Sequence, residues 1–231
     1  VNGREIVLDT ETTGLDPEMG DRVIEIGCIE LINLVPTGKV FHHLVNPERS
    51  VSAETISITG ITDDKLVGKP TFVEIAADLI DFIGDEAVLV AHNASFDAKF
   101  VNHELKRCGF RPYEPARWID TVQMARRQAP GAPASLDALC KRFGIDNSNR
   151  VLHGALLDAQ LLAEVYLELR GGRQPDLVLG EIKAGQYEEV GQNKKLRPAR
   201  PHAPSEAEMA AHAAFLAELK DPLWAKFAKA S

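Results

Sequence analysis

The sequence is short of the features that mark several protein classes. Its three cysteines, Cys28, Cys108 and Cys140, stand far apart and are odd in number. That argues against a disulfide framework or a cysteine zinc site, and for a reducing cytosol. No apolar run approaches the ~20 residues that a membrane span needs. The compact apolar stretches are as short as Ala87 to Ala91, so no membrane partner is expected. The first residues pass straight into strand-like sequence, and no basic-then-apolar leader is expected. No internal repeat is visible. Positive charge is also scarce, with 26 Lys and Arg against 34 Asp and Glu, a net charge of −8. A basic-patch route to nucleic acid is therefore not what composition suggests.

What is present is an ordinary globular composition, 45% hydrophobic and 26% charged over 231 residues. It excludes a chain that is disordered or collagen-like throughout. The length suits one domain of about 150–200 residues plus an extension. Charge is uneven along it. Residues 1–170 carry 17 basic against 26 acidic side chains, and residues 171–231 carry 9 against 8. If the acidic part handles a polyanion, bound divalent cations are the natural offset.

Patterning predicts an α/β domain over residues 1–170. Glu5–Leu8, Val23–Leu34 and Val40–Val45 read as an antiparallel meander, with a turn at Pro36-Thr37-Gly38 and with Glu25 and Glu30 facing out. Thr71 opens a helix through a capping box with Glu74, and its apolar set runs Phe72, Ile75, Ala76, Leu79, Ile80 and Ile83. A buried strand at Ala87–Ala91, a helix at about Ser95–Cys108 and a short strand at Trp118–Asp120 follow. Helices near Thr121–Gln128, Ser135–Phe143 and Leu156–Leu169 complete a mixed five-stranded sheet with flanking helices. Residues 171–204 are rich in Gly and Pro, lack any period and read as a flexible linker. Ser205 and Glu208 form a second capping box, opening an Ala-rich helix stopped by Asp221-Pro222.

Three constellations carry chemistry. Asp9 and Glu11 are two apart in a strand, so both carboxylates leave one face. They are either a solvated strand end or a hard oxygen pair for Mg²⁺ or Mn²⁺. Asp97, in His92-Asn93-Ala94-Ser95-Phe96-Asp97, falls in the first turn of a helix after a buried strand. There it either serves the helix dipole or delivers a third carboxylate at a strand's carboxyl end. His153 precedes Gly154 and a helix carrying Asp158. Gly154 lets the imidazole reach over a site from a loop, although a surface or capping histidine has the same pattern. Together, four carboxylates could hold two cations about 3.5–4 Å apart for in-line phosphoryl displacement, with His153 taking a proton from water.

The strings Leu8-Asp-Thr-Glu-Thr-Thr-Gly14, His92-Asn-Ala-Ser-Phe-Asp97 and Leu152-His-Gly-Ala-Leu-Leu-Asp-Ala159 occur in this order. They resemble the three motifs of the DEDD exonuclease superfamily, in its histidine-bearing branch, over residues 4–170. Ser135–Cys140 and Leu161–Tyr166 narrow the likeness to the proofreading (epsilon) subunit family of bacterial DNA polymerase III. The resemblance implies a ribonuclease H-like fold and removal of 3′-terminal nucleotides from single-stranded or frayed DNA. It implies two divalent cations, Mg²⁺ or Mn²⁺, with Asp9, Glu11 and Asp158 on the first and Asp9 and Asp97 toward the second. His153 would be the general base. The backbone at Thr12 and Thr13 would meet the terminal nucleotide, and Glu54 and Ile58 would line its pocket. Thr59 stands where many relatives carry His. Phe96 would stack on a base or belong to the core.

The remainder of the chain bears two more signals. Gln174-Pro175-Asp176-Leu177-Val178-Leu179 resembles the peptide by which replication proteins enter the beta sliding clamp, with Gln174, Leu177 and Leu179 as anchors. It has ordinary linker sequence as its alternative. Residues 205–231, including Pro222-Leu223-Trp224, resemble the part of the family that docks on the alpha (polymerase) subunit, although the helix could pack back on the nuclease domain. The family resemblance leaves room for a small stabilising subunit. The rival functions are a stand-alone nuclease of RNA ends and a non-catalytic tether. The clamp-like peptide and docking helix count against the first, and the intact acids count against the second.

Overall fold

A computed structural model of the chain describes residues 3–150, 152–172 and 203–218. The chain divides into two units, Val1–Leu177 and Val178–Ser231.

The first unit is built on five strands: β1 (Arg4–Thr12), β2 (Val23–Ile32), β3 (Val35–Leu44), β4 (Val88–Ala91) and β5 (Trp118–Asp120). They lie in the order β3-β2-β1-β4-β5. The first three form an antiparallel meander, and β4 and β5 run parallel to β1. The expected mixed sheet with its meander is what forms. The central strand β1 is longer than its apolar run suggests and carries Asp9 and Glu11 within its pairing with β2.

Seven α-helices accompany the sheet among the described residues of this unit: α1 (Ala53–Thr59), α2 (Asp63–Leu66), α3 (Phe72–Ile83), α4 (Ala94–Arg107), α5 (Thr121–Gln128), α6 (Leu136–Phe143) and α7 (Ala155–Leu169). The capping box of α3 is present, with the Thr71 N–H donating to Glu74 at 2.7 Å. Strand alternation sorts the core into two layers. Ile6 and Leu8 join Phe72, Leu79, Phe100 and Leu105 of α3 and α4. Val7 and Val90 join Leu139, Leu162, Val165 and Tyr166 of α6 and α7. A third cluster, Ile24, Val51, Ile61 and Leu66, seats α1 and α2.

Three expectations are corrected. The β2–β3 reversal is a two-residue turn at Asn33-Leu34, flanked by the pair Ile32 and Val35, with φ of 51° and 68° at the turn residues. Positive φ at both positions is what a tight hairpin matching strand twist demands. Pro36-Thr37-Gly38 instead enters β3, where register shifts opposite Glu30. Glu30 faces inward because Arg4 donates to it at 2.7 Å and Thr37 at 2.8 Å, with Lys39 at 3.2 Å. Glu25 is also buried, held by His42 at 2.7 Å and by the Ala155 N–H at 3.0 Å. A buried charge persists when it is paired and hydrogen-bonded.

In the second unit, α8 (Glu206–Glu218) begins at the Ser205 capping box, with the Ser205 N–H donating to Glu208 at 2.8 Å. It buries no residue, and Met209 and Phe215 are exposed. The clamp-like motif 174–179 and Pro222-Leu223-Trp224 lie outside the described residues, as does most of the expected linker 171–204.

Candidate active site

The site forms where β1 ends between the starts of α4 and α7. Along β1, Thr10 shares the α4 side with Ile6 and Leu8, whereas Asp9 and Glu11 share the α7 side with Val7. Thr10 donates from its hydroxyl to Asp97 at 2.8 Å. This fixes Asp97, 2% exposed, in the first turn of α4. Asn93 makes the sharp entry from β4 in the left-handed region, at φ 64°. The buried fork of Arg22 onto Glu104, at 2.7 and 3.0 Å, holds α4 against the start of β2.

Asp158 arrives by a different route. Asp9 pairs with Gly27 and Glu11 with Glu25 across β1 and β2. A Cβ on Gly27 would lie 2.5 Å from the Leu156 nitrogen, so only glycine lets the start of α7 rest on β2. Gly154 caps α7 without a side chain, and Glu25 supplies the missing acceptor by taking the Ala155 N–H. Asp158, 3% exposed, then points into the cluster from the first turns of α7. His153 stays in the preceding loop, half exposed, with its N–H donating to the Ile58 carbonyl at 3.1 Å.

The electrostatics are those of crowded anions. Burial pushes Asp9 well above the usual carboxylate range, and the charges of Asp97, Glu11 and Asp158 push the same way, against Arg150. Glu11 is raised to about 8, by burial first and then by Asp158, Glu25 and Asp97. Burial raises Asp97 to about 7 against the hydrogen bond from Thr10. Carboxyls that resist joint ionisation are what a cation relieves. Donor atoms of Glu11, His153 and Asp158 lie within 4.8 Å of one another. The hard carboxylate oxygens of Glu11 and Asp158 fit a divalent cation; the imidazole lies within the same reach, whereas Asp9 and Asp97 are not part of this group of three.

Beside the cluster is an open cavity of about 310 Å³. Every residue expected to meet the substrate lines it: Thr12, Thr13, Glu54, Ile58 and Phe96, together with Glu11, Leu15 and Thr59. Phe96 also packs on the core, its ring 4.9 Å from that of Phe100. Thr59 uses its hydroxyl inside α1, donating to the Thr55 carbonyl at 2.9 Å and accepting from the Ile61 N–H at 3.1 Å. Gln174, Leu177 and Leu179 lie outside the described residues.

Three residues of the site escape sequence patterning. Gly27 interrupts a Val/Ile run, a sign of close backbone approach in a strand, whereas Glu25 reads from the sequence as facing out. Arg150 forks onto Asp158 at 2.6 and 2.7 Å from a polar loop that carries no signal of its own.

Comparison with known proteins agrees with this geometry. The exonuclease family matches residues 6–166. The DNA polymerase III subunit epsilon of Rickettsia prowazekii is 58% identical over 174 residues, 74% of this chain and 76% of that one. The protein of the same name from Pasteurella multocida is 42% identical over 226 residues, 92% of this chain and 88% of that one, so the likeness continues past the nuclease domain. A solved structure of Exonuclease X in complex with 5′ overhanging duplex DNA aligns with a TM-score of 0.56 at 30% identity, covering 72% of this chain and 90% of that one. The site and the likeness converge on one assignment: the chain belongs to the exonuclease family and, within it, to the epsilon subunits of DNA polymerase III.

Proposed function

We propose that the chain is a metal-dependent 3′–5′ DNA exonuclease that removes mispaired 3′-terminal nucleotides as the proofreading subunit of a bacterial replicative polymerase. The observation that carries this reading is the meeting of Asp9, Glu11, Asp97 and Asp158 next to an open cavity that Glu11 lines, with Nδ1 of His153 3.4 Å from Asp158. Exonucleases of this family depend on divalent metal. Asp9, Glu11 and Asp158 would hold one ion, and Asp9 and Asp97 a second. Mg²⁺ or Mn²⁺ bound there would stabilise charge on the scissile phosphate and acidify the attacking water. His153 accepts the water's proton. Its half-exposed ring can pass that proton to solvent, while its main chain stays tied to Ile58. Leu15, Ile58 and Phe96 give the terminal base apolar surface. Glu54 and the backbone at Thr12 and Thr13 meet its sugar.

The partners follow the family. Residues 205–231 dock on the alpha (polymerase) subunit, and Gln174, Leu177 and Leu179 enter the beta sliding clamp. A small stabilising subunit is a third candidate. The protein works in the bacterial cytoplasm, at the replication fork.

The test is hydrolysis of 5′-labelled DNA with paired and mispaired 3′ ends and of matched RNA, in Mg²⁺, Mn²⁺ or EDTA. Faster loss from the mispaired DNA end, release of 5′-monophosphates and silence in EDTA are expected. His153→Ala should lower turnover by on the order of 10²–10⁴-fold while calorimetry shows metal affinity retained. Preference for RNA, or activity in EDTA, would overturn the reading.

A further inference from the structure

The acid cluster already contains a cation of the protein's own. Arg150 lies in the loop between α6 and α7, yet its side chain is only 8% exposed. Its Nε donates to Oδ1 of Asp158 at 2.6 Å and its Nη2 to Oδ2 at 2.7 Å, so both oxygens are engaged by one fork. Its Nη1 donates to Asp137 at 2.9 and 3.0 Å. Nη2 also lies 2.9 Å from Nδ1 of His153. A guanidinium only donates, so in this arrangement Nδ1 accepts and the imidazole is oriented by the same group. Other arginines and lysines of the unit serve other acids: Arg22 pairs with Glu104, Lys99 with Asp16 and Arg49 with Asp21.

Asp158 and Asp137 differ in a way that matters. Asp158 is 4% exposed in its side chain and offers donor atoms to the candidate metal group. Asp137, in the first turn of α6, is 59% exposed and lies outside that group. Arg150 therefore bridges an inner acid that a metal ion needs and an outer acid that it does not.

Building on the exonuclease reading, we propose that Arg150 is the displaceable counter-ion of the metal site. In the metal-free protein it neutralises Asp158 and orients His153. When divalent metal binds, Arg150 gives up Asp158 and remains tethered to Asp137. It is a positioning residue and acts through Asp158 and His153. A fixed guanidinium would oppose a second cation at the same carboxylate. The outer acid eases release, because one ion pair persists.

The test measures Mn²⁺ affinity by calorimetry on the full-length chain, together with melting temperature in EDTA and in Mn²⁺. Arg150→Gln removes the competitor and should bind Mn²⁺ about tenfold tighter, a change of about 1.4 kcal/mol. It should melt lower than wild type in EDTA, with the gap closing in Mn²⁺. Asp137→Asn removes the retreat and should bind Mn²⁺ more weakly. In the Arg150→Gln background, Asp137→Asn should change affinity little, since the coupling has been removed. If Arg150→Gln does not fold, Arg150→Lys keeps the charge without the fork and should fall between wild type and the expected Gln value. A purely structural arginine predicts weaker binding for both single variants, and that result overturns the proposal. Wild-type protein that binds no Mn²⁺ and hydrolyses no DNA would instead overturn the underlying function.

Discussion

Two helices of similar length, α7 and α8, live differently. The first has six Leu among its 15 residues, whereas the second has six Ala and a single Leu among its 13. The 15-residue α7 buries Ala155, Leu162, Val165, Tyr166 and Leu169, among others, between the sheet and α5 and α6. The 13-residue α8 buries none, and exposes Met209 and Phe215. Helices this short are marginal on propensity alone, so packing on an apolar surface decides their stability. In α7 that packing also delivers chemistry, because the force that seats the helix places Asp158. In α8 stability rests on its own cap, and the docking proposed for it would supply the packing surface. The comparison separates a helix whose packing places a residue of the candidate site from one that buries none of its described residues.

The largest expected effect comes from removing what α7 delivers. Asp158→Ala and Asp9→Ala should each lower turnover on single-stranded DNA by on the order of 10³-fold or more, since metal-borne charge stabilisation is worth several kcal/mol. Their melting temperatures in EDTA should part. Burial first, and then the like charges of Asp97, Glu11 and Asp158, raise the pKa of Asp9, so Asp9→Ala should leave the melt level or higher. Asp158 is forked by Arg150, so Asp158→Ala leaves a buried guanidinium with only the exposed Asp137 as its acid partner and should melt lower. Residual activity above a tenth of wild type in either variant would remove that acid from the metal site.

A smaller effect tests how α7 is seated. Gly27→Val puts a side chain where even a Cβ would lie 2.5 Å from backbone of α7. Overpacking of this kind costs roughly 1–3 kcal/mol, and the shift of Asp158 should cost at least about tenfold in turnover, since catalysis is sensitive to small misplacements. Activity unchanged despite a lower melt would show that Asp158 is not placed by this contact.

The same contact marks the limit of what the sequence makes legible. Asp9 and Glu11 share a face through strand periodicity, Asp97 follows from a strand-to-helix entry, and Thr71 announces α3. Each is a local pattern. The inward turn of Glu25 and Glu30 depends on His42, Arg4 and the start of α7, up to 130 residues away. No local rule reports such pairs. Helices α1 and α2 escape because they have seven and four residues, too few to show a period. The Asn33-Leu34 turn is hidden by the stronger turn composition of Pro36-Thr37-Gly38.

A pH series sharpens the contrast without mutation. In metal-free protein, Glu11 is raised to about 8 and Asp97 to about 7, both mainly by burial, whereas unfolded carboxyls titrate near 4. Between about pH 4.5 and 8 the native state therefore binds more protons than the unfolded state, so stability falls as pH rises. Glu30 acts oppositely. Burial raises it, but Thr37, Arg4 and Lys39 outweigh burial and hold it at about 2, so its stabilisation is present above pH 4.5 and lost toward pH 2. Melting temperature in EDTA should peak on the acid side of neutrality and drop by several degrees toward pH 8, where 1 kcal/mol is worth about 2–4 °C. Mg²⁺ should abolish the drop by favouring the ionised acids. A flat EDTA profile from pH 5 to 8.5 would show that these acids ionise together without penalty.

The smallest effect belongs to α8. Ser205 accepts from the Glu208 N–H at 3.3 Å, and Glu208 takes the Ser205 N–H at 2.8 Å. Ser205→Ala removes half of this reciprocal cap, at a cost of about 1 kcal/mol to the helix. A packed helix such as α7 would absorb such a loss within its tertiary contacts. In α8 nothing buried compensates, so the loss should appear as faster amide hydrogen exchange through residues 207–218 of the full chain. Hydrolysis of a free single strand should not change, because every described residue of the metal cluster and cavity belongs to the first unit. Retention on immobilised polymerase subunit should weaken, since docking must then also supply the free energy that orders the helix. If hydrolysis of the free strand falls together with α8 protection, the helix supports the nuclease site itself, and the division between the two helices fails.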